Sequence, residues 1–486
     1  MSAVFRLSAL ATSLALAACA VGPDYERPAS AVSARFARDE SQAMQHDAAP
    51  AGTSADADAA FWRGFGDPAL TRLIDAALAA NQDLQLAVSR YDASNALLRE
   101  TRFDRIPTIT ASGQIGHRLT SKDQAFGAPR DQRDKPTSSV GINAAWELDL
   151  FGRVRRAVEA QRAETAASAA DVRAVRIAIA GEVARAYVDL RGSQERLRIA
   201  RENADNQRQT LVLIDARVGA GRSSELDAAR ARAQVESTTS RIAVYEAAIG
   251  VDEHRLAVLT GQPPGALIGE LDAPAPLPAL VADIDPGTPG DLLRRRPDVA
   301  AAEARLHAAT ARVGVATADL FPRFTLTGLL GSMTSSYGFF RSGSDTNLIA
   351  LGVDWSFLDV GRVRARLAAS NADAAGQLAQ YRQTVLGALE ETENALLRVA
   401  RTRDETTHLE RAATDSARAA QLAHARFTAG AIDYYEVLDA ERTLLQAQDA
   451  AADGRLRSAD ATVALYKALA GGWPSGAGPD APIARR

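Results

Sequence analysis

Four segments of the chain alternate apolar and polar residues with a period of two. Ile109, Ala111, Gly113 and Ile115 alternate with Thr108, Thr110, Ser112 and Gln114. Val140, Ile142, Ala144, Trp146, Leu148 and Leu150 oppose Gly141, Asn143, Glu147 and Asp149. Phe324, Leu326 and Gly328 oppose Thr325 and Thr327, and Ile349, Leu351, Val353, Trp355 and Phe357 oppose Gly352, Asp354 and Ser356. This is strand periodicity, and it predicts strands at about 106–120, 137–151, 322–334 and 347–359.

Elsewhere the period lengthens. No proline occurs from Arg153 to about Ala216, and Val183, Leu190, Leu197, Ala204, Leu211 and Val218 recur every seventh residue, with Ala186, Ser193, Ala200 and Ile214 three positions on. This heptad seam predicts one helix of about 64 residues, a rod of about 95 Å at ~1.5 Å per residue. A second rod is predicted from about Arg362 to Phe427. Each stops at a glycine, in Val218-Gly219-Ala220-Gly221 and in Phe427-Thr428-Ala429-Gly430, and helices return over about 224–260 and 433–470. Each return falls short of its rod, and helices from Pro297 to about Leu320 and from Ala69 to Asp104 are long enough to complete them.

The two halves are copies of one unit. Trp146 and Trp355 stand 209 positions apart, as do Gly152 and Gly361, and Gly221 and Gly430. A constant offset over so long a stretch marks an internal repeat. Upstream, Ile106-Pro107-Thr108-Ile109 and Phe321-Pro322-Arg323-Phe324 echo each other with a small slip. The predicted organisation is a leader at 1–18, an N-terminal extended segment at 19–60, and repeat one at 61–262 with its tip at 218–222. A Pro-rich linker follows at 263–290, then repeat two at 291–473 with its tip at 427–431, and a tail at 474–486. The seven prolines in 261–290 exclude a continuous helix there.

Strands of about ten residues, apolar on one side and polar on the other, fit a transmembrane β-barrel with lipid outside and water inside; a pair of half-buried hairpins in a soluble domain is the other reading. Four strands cannot enclose a wide lumen, and lipid does not tolerate open strand edges. The membrane reading therefore requires other copies of the chain. At the strand-to-rod junctions, Trp146 and Trp355 are expected at the lipid interface, and Gly152 and Gly361 are expected to let the backbone change conformation. Arg153, Arg155, Arg362 and Arg364 stand where a helix dipole disfavours cations, which suggests lipid phosphates or solvent as partners.

The N-terminus, MSAVFRLSALATSLALAAC, has the basic start, short apolar run and small residues of a bacterial export signal. Leu16-Ala17-Ala18-Cys19 looks like a lipobox, against the alternative of an ordinary signal with a chance Cys. Cys19 is the single cysteine, so no disulfide forms within the chain. Covalent lipid is its natural use, and Ala20 after it fits delivery to the outer membrane. With 56 basic and 60 acidic residues in 486, the chain gives no electrostatic reason to expect nucleic acid. Enzymatic signatures are missing. Lys122, Lys135 and Lys467 follow Ser, Asp and Tyr, so no phosphate-binding Gly-Lys motif exists. None of the six His residues is followed by Glu, their scattering predicts no metal site, and no GxSxG motif occurs. No cofactor is expected beyond lipid on Cys19.

Several separated motifs carry a family resemblance: the lipobox with CAVGPDYERP, FWRGFGDPALTRLIDAAL (61–78), LLRRRPDVAAAEARLHAA (292–309) and RFTAGAIDYYEVLDAERTLLQAQ (426–448). Together they resemble the TolC-like outer membrane efflux protein family, and within it the lipoprotein subclass typified by OprM and NodT. The resemblance spans nearly the whole mature chain. It implies an α+β membrane protein: a homotrimer whose 12 strands, four per chain, close one β-barrel continuous with a long periplasmic α-helical barrel. It implies docking to a periplasmic adaptor and to an inner-membrane pump, of the proton-driven RND type. In the family the helix tips narrow to an aperture, and motif matching places it here at Tyr435, Glu436, Asp439 and Arg442, with first-repeat counterparts Glu225, Asp227 and Arg230. Carboxylate rings favour cations, and Asp–Arg pairs between helices could latch a closed state. Without the resemblance these residues read as solvated helix ends making i,i+3 pairs. Ile432 stands where one branch of the family carries a basic residue, so that branch's latch is not expected. The tips, Val218 to Gly221 and Phe427 to Gly430, are the expected adaptor contacts. Two alternatives remain open: a conduit for type I polypeptide secretion, and a coiled-coil adaptor lipoprotein, against which the doubled strand pairs argue.

Overall fold

The computed structural model describes residues 20–29, 32–37, 61–278 and 286–470. The expected leader, Cys19 and the tail lie outside the described residues. In chain order the elements are α1 (Pro68–Ala80), α2 (Gln82–Phe103), β1 (Thr108–Leu119), β2 (Asp134–Leu148), α3 (Arg153–Gly219), α4 (Glu225–Leu259), α5 (Pro289–Arg295), α6 (Pro297–Ala318), β3 (Arg323–Thr334), β4 (Asp345–Asp354), α7 (Val360–Thr428) and α8 (Tyr434–Ala468). One-turn helices lie at Arg130–Arg133 and Ile268–Leu271, and 3-10 turns at Phe61–Phe65 and Phe357–Asp359. The chain forms two compact units, one from 1–29, 89–169 and 301–383, the other from 30–88, 170–300 and 384–486.

The first unit carries the sheet. Its four antiparallel strands run in the order β1-β2-β3-β4. Register explains why the alternation is so clean: Ala111 pairs with Ile142, Ile142 with Leu330, and Ile109 with Ala144. Leu326 pairs with both Trp146 and Leu351, and Gly328 with Ile349. Directly opposed residues share a face, so the apolar positions of all four segments form one continuous surface. That surface is uncovered: Ile109 is 71% exposed and Ile349 85%. The outer edges of β1 and β4 have no partner strand in this sheet. β4 ends before the expected limit. Asp354 closes the strand and a 3-10 turn takes Phe357–Asp359, so Phe357 leaves the ladder.

In the second unit the heptad seam is buried. Val183, Leu190 and Ala204 are fully covered and Leu197 nearly so. Small residues let helices approach closely: a Cβ added to Gly192 would meet Leu456 of α8 at 2.8 Å, and one added to Gly454 would meet Leu409 of α7 at 2.9 Å. Polar ties join the same helices. Arg196 of α3 reaches Asp449 of α8 at 2.9 Å, and the Tyr245 hydroxyl of α4 donates to the same carboxylate at 2.8 Å. A separate cluster gathers Phe36, Leu292, Val399, Ala461, Leu465 and Leu469, bringing a residue of the N-terminal segment against α5, α7 and α8. Beside it, Arg296 donates to Asp298, to Glu391 at 2.8 Å and to the Ala468 carbonyl at 2.9 Å.

The helix expected from Ala69 to Asp104 is broken at Asn81. Its Oδ1 accepts from the amides of Asp83 and Leu84 while its amide donates to the Leu259 carbonyl at 3.0 Å. A buried side chain that caps a new helix and bonds another one outweighs an unbroken backbone ladder here. Among the described residues no helix is long and apolar enough to cross a membrane.

Candidate functional site: strand-to-helix junctions and hairpin tips

The junctions lie in the first unit. Trp146 Nε1 donates to the Arg105 carbonyl at 3.1 Å, and Trp355 Nε1 donates to the Leu320 carbonyl at 3.0 Å. The two indoles make the same bond in the two repeats, each stapling the end of its strand pair to the turn that ends the helix before that pair, α2 or α6. The glycines differ. Gly152 takes φ +83° in a turn between β2 and α3, whereas Gly361 lies inside α7 with no positive φ. The expectation that both relieve the backbone is therefore corrected for Gly361, because the second junction turns through Phe357–Asp359 first. Three of the four arginines have protein partners. Arg153 makes a two-pronged contact to Glu147 at 2.8 and 2.6 Å. Asp149 accepts from the backbone amides of Val154 and Arg155 and pairs with the Arg155 side chain at 3.3 Å. Arg362 pairs with Asp359 at 2.9 Å. Carboxylates at the helix start offset the unfavourable cations, so lipid phosphate is not needed to balance these three.

The residues that follow Cys19 are fastened to the same junction. The Val21 amide donates to the Phe151 carbonyl at 3.1 Å, and the Arg156 guanidinium donates to Asp24 at 2.5 Å. Gly22, at φ +92°, lies against Gly314 of α6, and Tyr25 stacks on His307 at 4.4 Å. Periodicity gave no signal for this strap, since its partners are distant in sequence.

The tips lie in the second unit. Both outgoing helices end alike: Gly221 (φ +68°) and Gly430 (φ +73°) follow bonds from Arg222 N to Arg217 O at 2.8 Å and from Ala431 N to Arg426 O at 2.9 Å. Left-handed glycine closes the helix in each case. The structure brings the two tips together around Ile214, Ala228, Ala231, Phe427, Tyr434, Val437 and Leu438, with Val218 and Ile432 packed against them. The Arg217 guanidinium covers the Phe427 ring at 4.0 Å. Phe427 is 4% exposed, so it supports the tip from within and is corrected as a contact surface. Gly219, Ala220, Gly221, Thr428, Ala429 and Gly430 are exposed.

The expected aperture residues do not all gather in one place. Tyr435, Glu436 and Asp439 line one open cavity of about 530 Å³, together with Asp415, Ser416, Ala419, Ala440 and Thr443. Asp415, on α7, was missed because nothing in its local pattern marks it. Arg442 does not pair with Asp439; its Nε donates to Gln234 of α4 at 3.1 Å. Arg230 lies over the Tyr435 ring at 5.6 Å and so joins the first-repeat residues to the second. Glu225 pairs with Arg232 at 2.5 Å, and Asp227 forms a capping box with Ser224. Burial alone would raise the Asp227 carboxyl, but hydrogen bonds from Ser224 and Ser223 and the Arg230 charge hold it below the usual range. Asp227 thus caps the start of α4. Among the described residues no group of three or more His, Cys, Asp or Glu is placed to hold a metal ion.

The outer membrane efflux protein family matches the chain at residues 73–262 and 288–471, both repeats and little else. The chain belongs to the outer membrane efflux protein family. It is 34% identical to outer membrane protein OprJ of Pseudomonas aeruginosa, over 97% of each chain. It is 33% identical to the solvent efflux pump outer membrane protein SrpC of Pseudomonas putida, over 95% of this chain and 97% of the relative. The solved outer-membrane channel OprN matches with TM-score 0.84 at 38% identity, covering 94% of this chain and 100% of that one. The open-state MtrE outer membrane channel of Neisseria gonorrhoeae matches with TM-score 0.79 at 27% identity, over 93% and 98%. As an outer membrane efflux protein of a Gram-negative bacterium, the chain contributes strands to an outer membrane channel and a large helical part to the periplasm.

Proposed function

We propose that three copies of this chain close one 12-stranded barrel, four strands from each, and form the exit duct of a tripartite system that conducts drugs or other small molecules outward. The carrying observation is the sheet itself: an uncovered apolar face bounded by two unpaired edges, tolerable in lipid only if other chains complete it. Small-molecule export is favoured over polypeptide secretion by the relatives named for solvent and toluene efflux. The exposed small residues of the tips receive a periplasmic adaptor, and an inner-membrane pump of the proton-driven RND type supplies the energy. Asp415, Glu436 and Asp439 from each chain give the aperture an acidic wall that raises cation occupancy. Cys19 carries acyl chains, and the strap behind it holds that anchor at the barrel's base.

Edge cysteines test the closure. In a Cys19→Ser background, Ser112→Cys on β1 combined with a cysteine scan of β4 from Leu348 to Gly352 should give oxidised products that stop at trimer. Ladders beyond trimer, or no inter-chain product at any β4 position, would contradict a closed three-chain barrel.

A further inference from the structure

One carboxylate deep in the tip region has a single cationic partner, and that partner titrates. Glu441 of α8 is 7% exposed. Its Oε1 lies 2.8 Å from His424 Nε2 of α7 and accepts from the Thr210 hydroxyl of α3 at 3.3 Å. Glu441 Oε2 is buried with no hydrogen-bond partner among the described residues, and so is Gln207 Oε1. Both side chains line a cavity of about 500 Å³ between α3, α7 and α8, walled by amides that include Asn206, Gln421 and Gln448. A buried carboxylate without compensation is costly, but a polar space of this size admits water that can hydrate it when its partner lets go. The cavity is what makes the pair breakable.

The surroundings leave the switching to one group. Among the described residues, His424 and Glu441 are the only ionisable side chains lining the cavity. Tyr434, which feels the Glu441 charge, is pushed up by burial first and by the Glu441 and Asp227 charges next, so it stays neutral. Arg442, beside Glu441 in sequence, bonds Gln234 of α4 instead. The hydrogen bond from His424 to Glu441 raises the imidazole above its ordinary value, against the effect of burial. A histidine raised in the folded state contributes stability that is complete below its unfolded value and is lost as pH rises through the folded one. The tie is therefore closed under mildly acidic conditions and loosens towards alkaline pH.

We propose that His424 and Glu441 form a proton-operated latch between α7 and α8 that biases the aperture toward its narrow state while His424 is protonated. Glu441 lies two residues beyond Asp439, on the helix that carries the proposed aperture wall, so releasing α8 from α7 releases that wall. The inference rests on the aperture reading given above. Each pH unit by which His424 is raised corresponds to about a tenfold bias between latched and unlatched forms.

Two readouts on the full-length protein keep the two readings separable. The first is hydrogen exchange of α7 residues 417–426 and α8 residues 436–446, corrected for intrinsic rates, between pH 5.5 and 8.5. Protection should fall several-fold with rising pH in the wild type and stay level in His424→Gln, whose amide still donates to Glu441 but does not titrate. The second is single-channel conductance over the same range, which should rise with pH in the wild type and stay level in His424→Gln and Glu441→Gln. Equal pH profiles in wild type and His424→Gln, by either readout, would overturn the latch. If Asp439→Ala leaves conductance unchanged while the His424-dependent profile persists, the aperture assignment fails and the latch stands.

Discussion

Gly152 and Gly361 occupy equivalent places in the two repeats and have different requirements. Gly152 needs a left-handed backbone, and a Cβ there would meet Ala20 at 2.6 Å. Gly152→Ala should cost roughly 1–2 kcal/mol for the left-handed conformation, with the strap displaced in addition. Gly361 is helical and open to solvent, so Gly361→Ala should be neutral or stabilise by up to about 1 kcal/mol. Guanidinium unfolding in detergent, followed by circular dichroism, separates them; equal effects would contradict the asymmetry described. The repeat offset marks these two glycines as a pair but cannot distinguish them, because the difference lies in how the chain enters each helix. Arg153, Arg155 and Arg362 are hard to read locally for a related reason. Their partners Glu147, Asp149 and Asp359 were visible nearby, yet the offsets of six and three residues acquire meaning only once the turn is known.

At the scale of elements, period decides what could be read. The four strands and two long helices were legible because alternation marks a two-faced strand and heptads mark a buried helix seam, and the tip glycines because a helix end needs a left-handed residue. The break at Asn81 was not legible: its cause is a hydrogen bond to Leu259, far away in sequence. Asp415 escaped for the same reason, since only packing of α7 on α8 places it beside Asp439. Phe427 read as a tip residue, and its burial follows from the meeting of two hairpins that no local window contains. Phe427→Ala should cost about 3–5 kcal/mol, the usual range for emptying a large aromatic site. The loss should appear as faster hydrogen exchange at 211–218 and 434–438, with the strands unaffected. Exchange unchanged at both tips would mean that this cluster does not hold them together.

For the whole molecule, sequence motifs identified the family, and the paired strands supply the physical reason for assembly. The acyl anchor is tested separately: Cys19→Ser should abolish metabolic palmitate labelling, and persistent label would rule out the lipobox. What sequence alone left undecided was which acids share a wall, and the structure places Asp415 with Glu436 and Asp439 while turning Arg442 and Asp227 to other partners. Planar-bilayer recording of Asp415→Ala combined with Asp439→Ala tests whether that acidic wall narrows the pore. Conductance should exceed wild type and cation preference should fall, whereas unchanged conductance and selectivity would show that these carboxylates do not form the constriction.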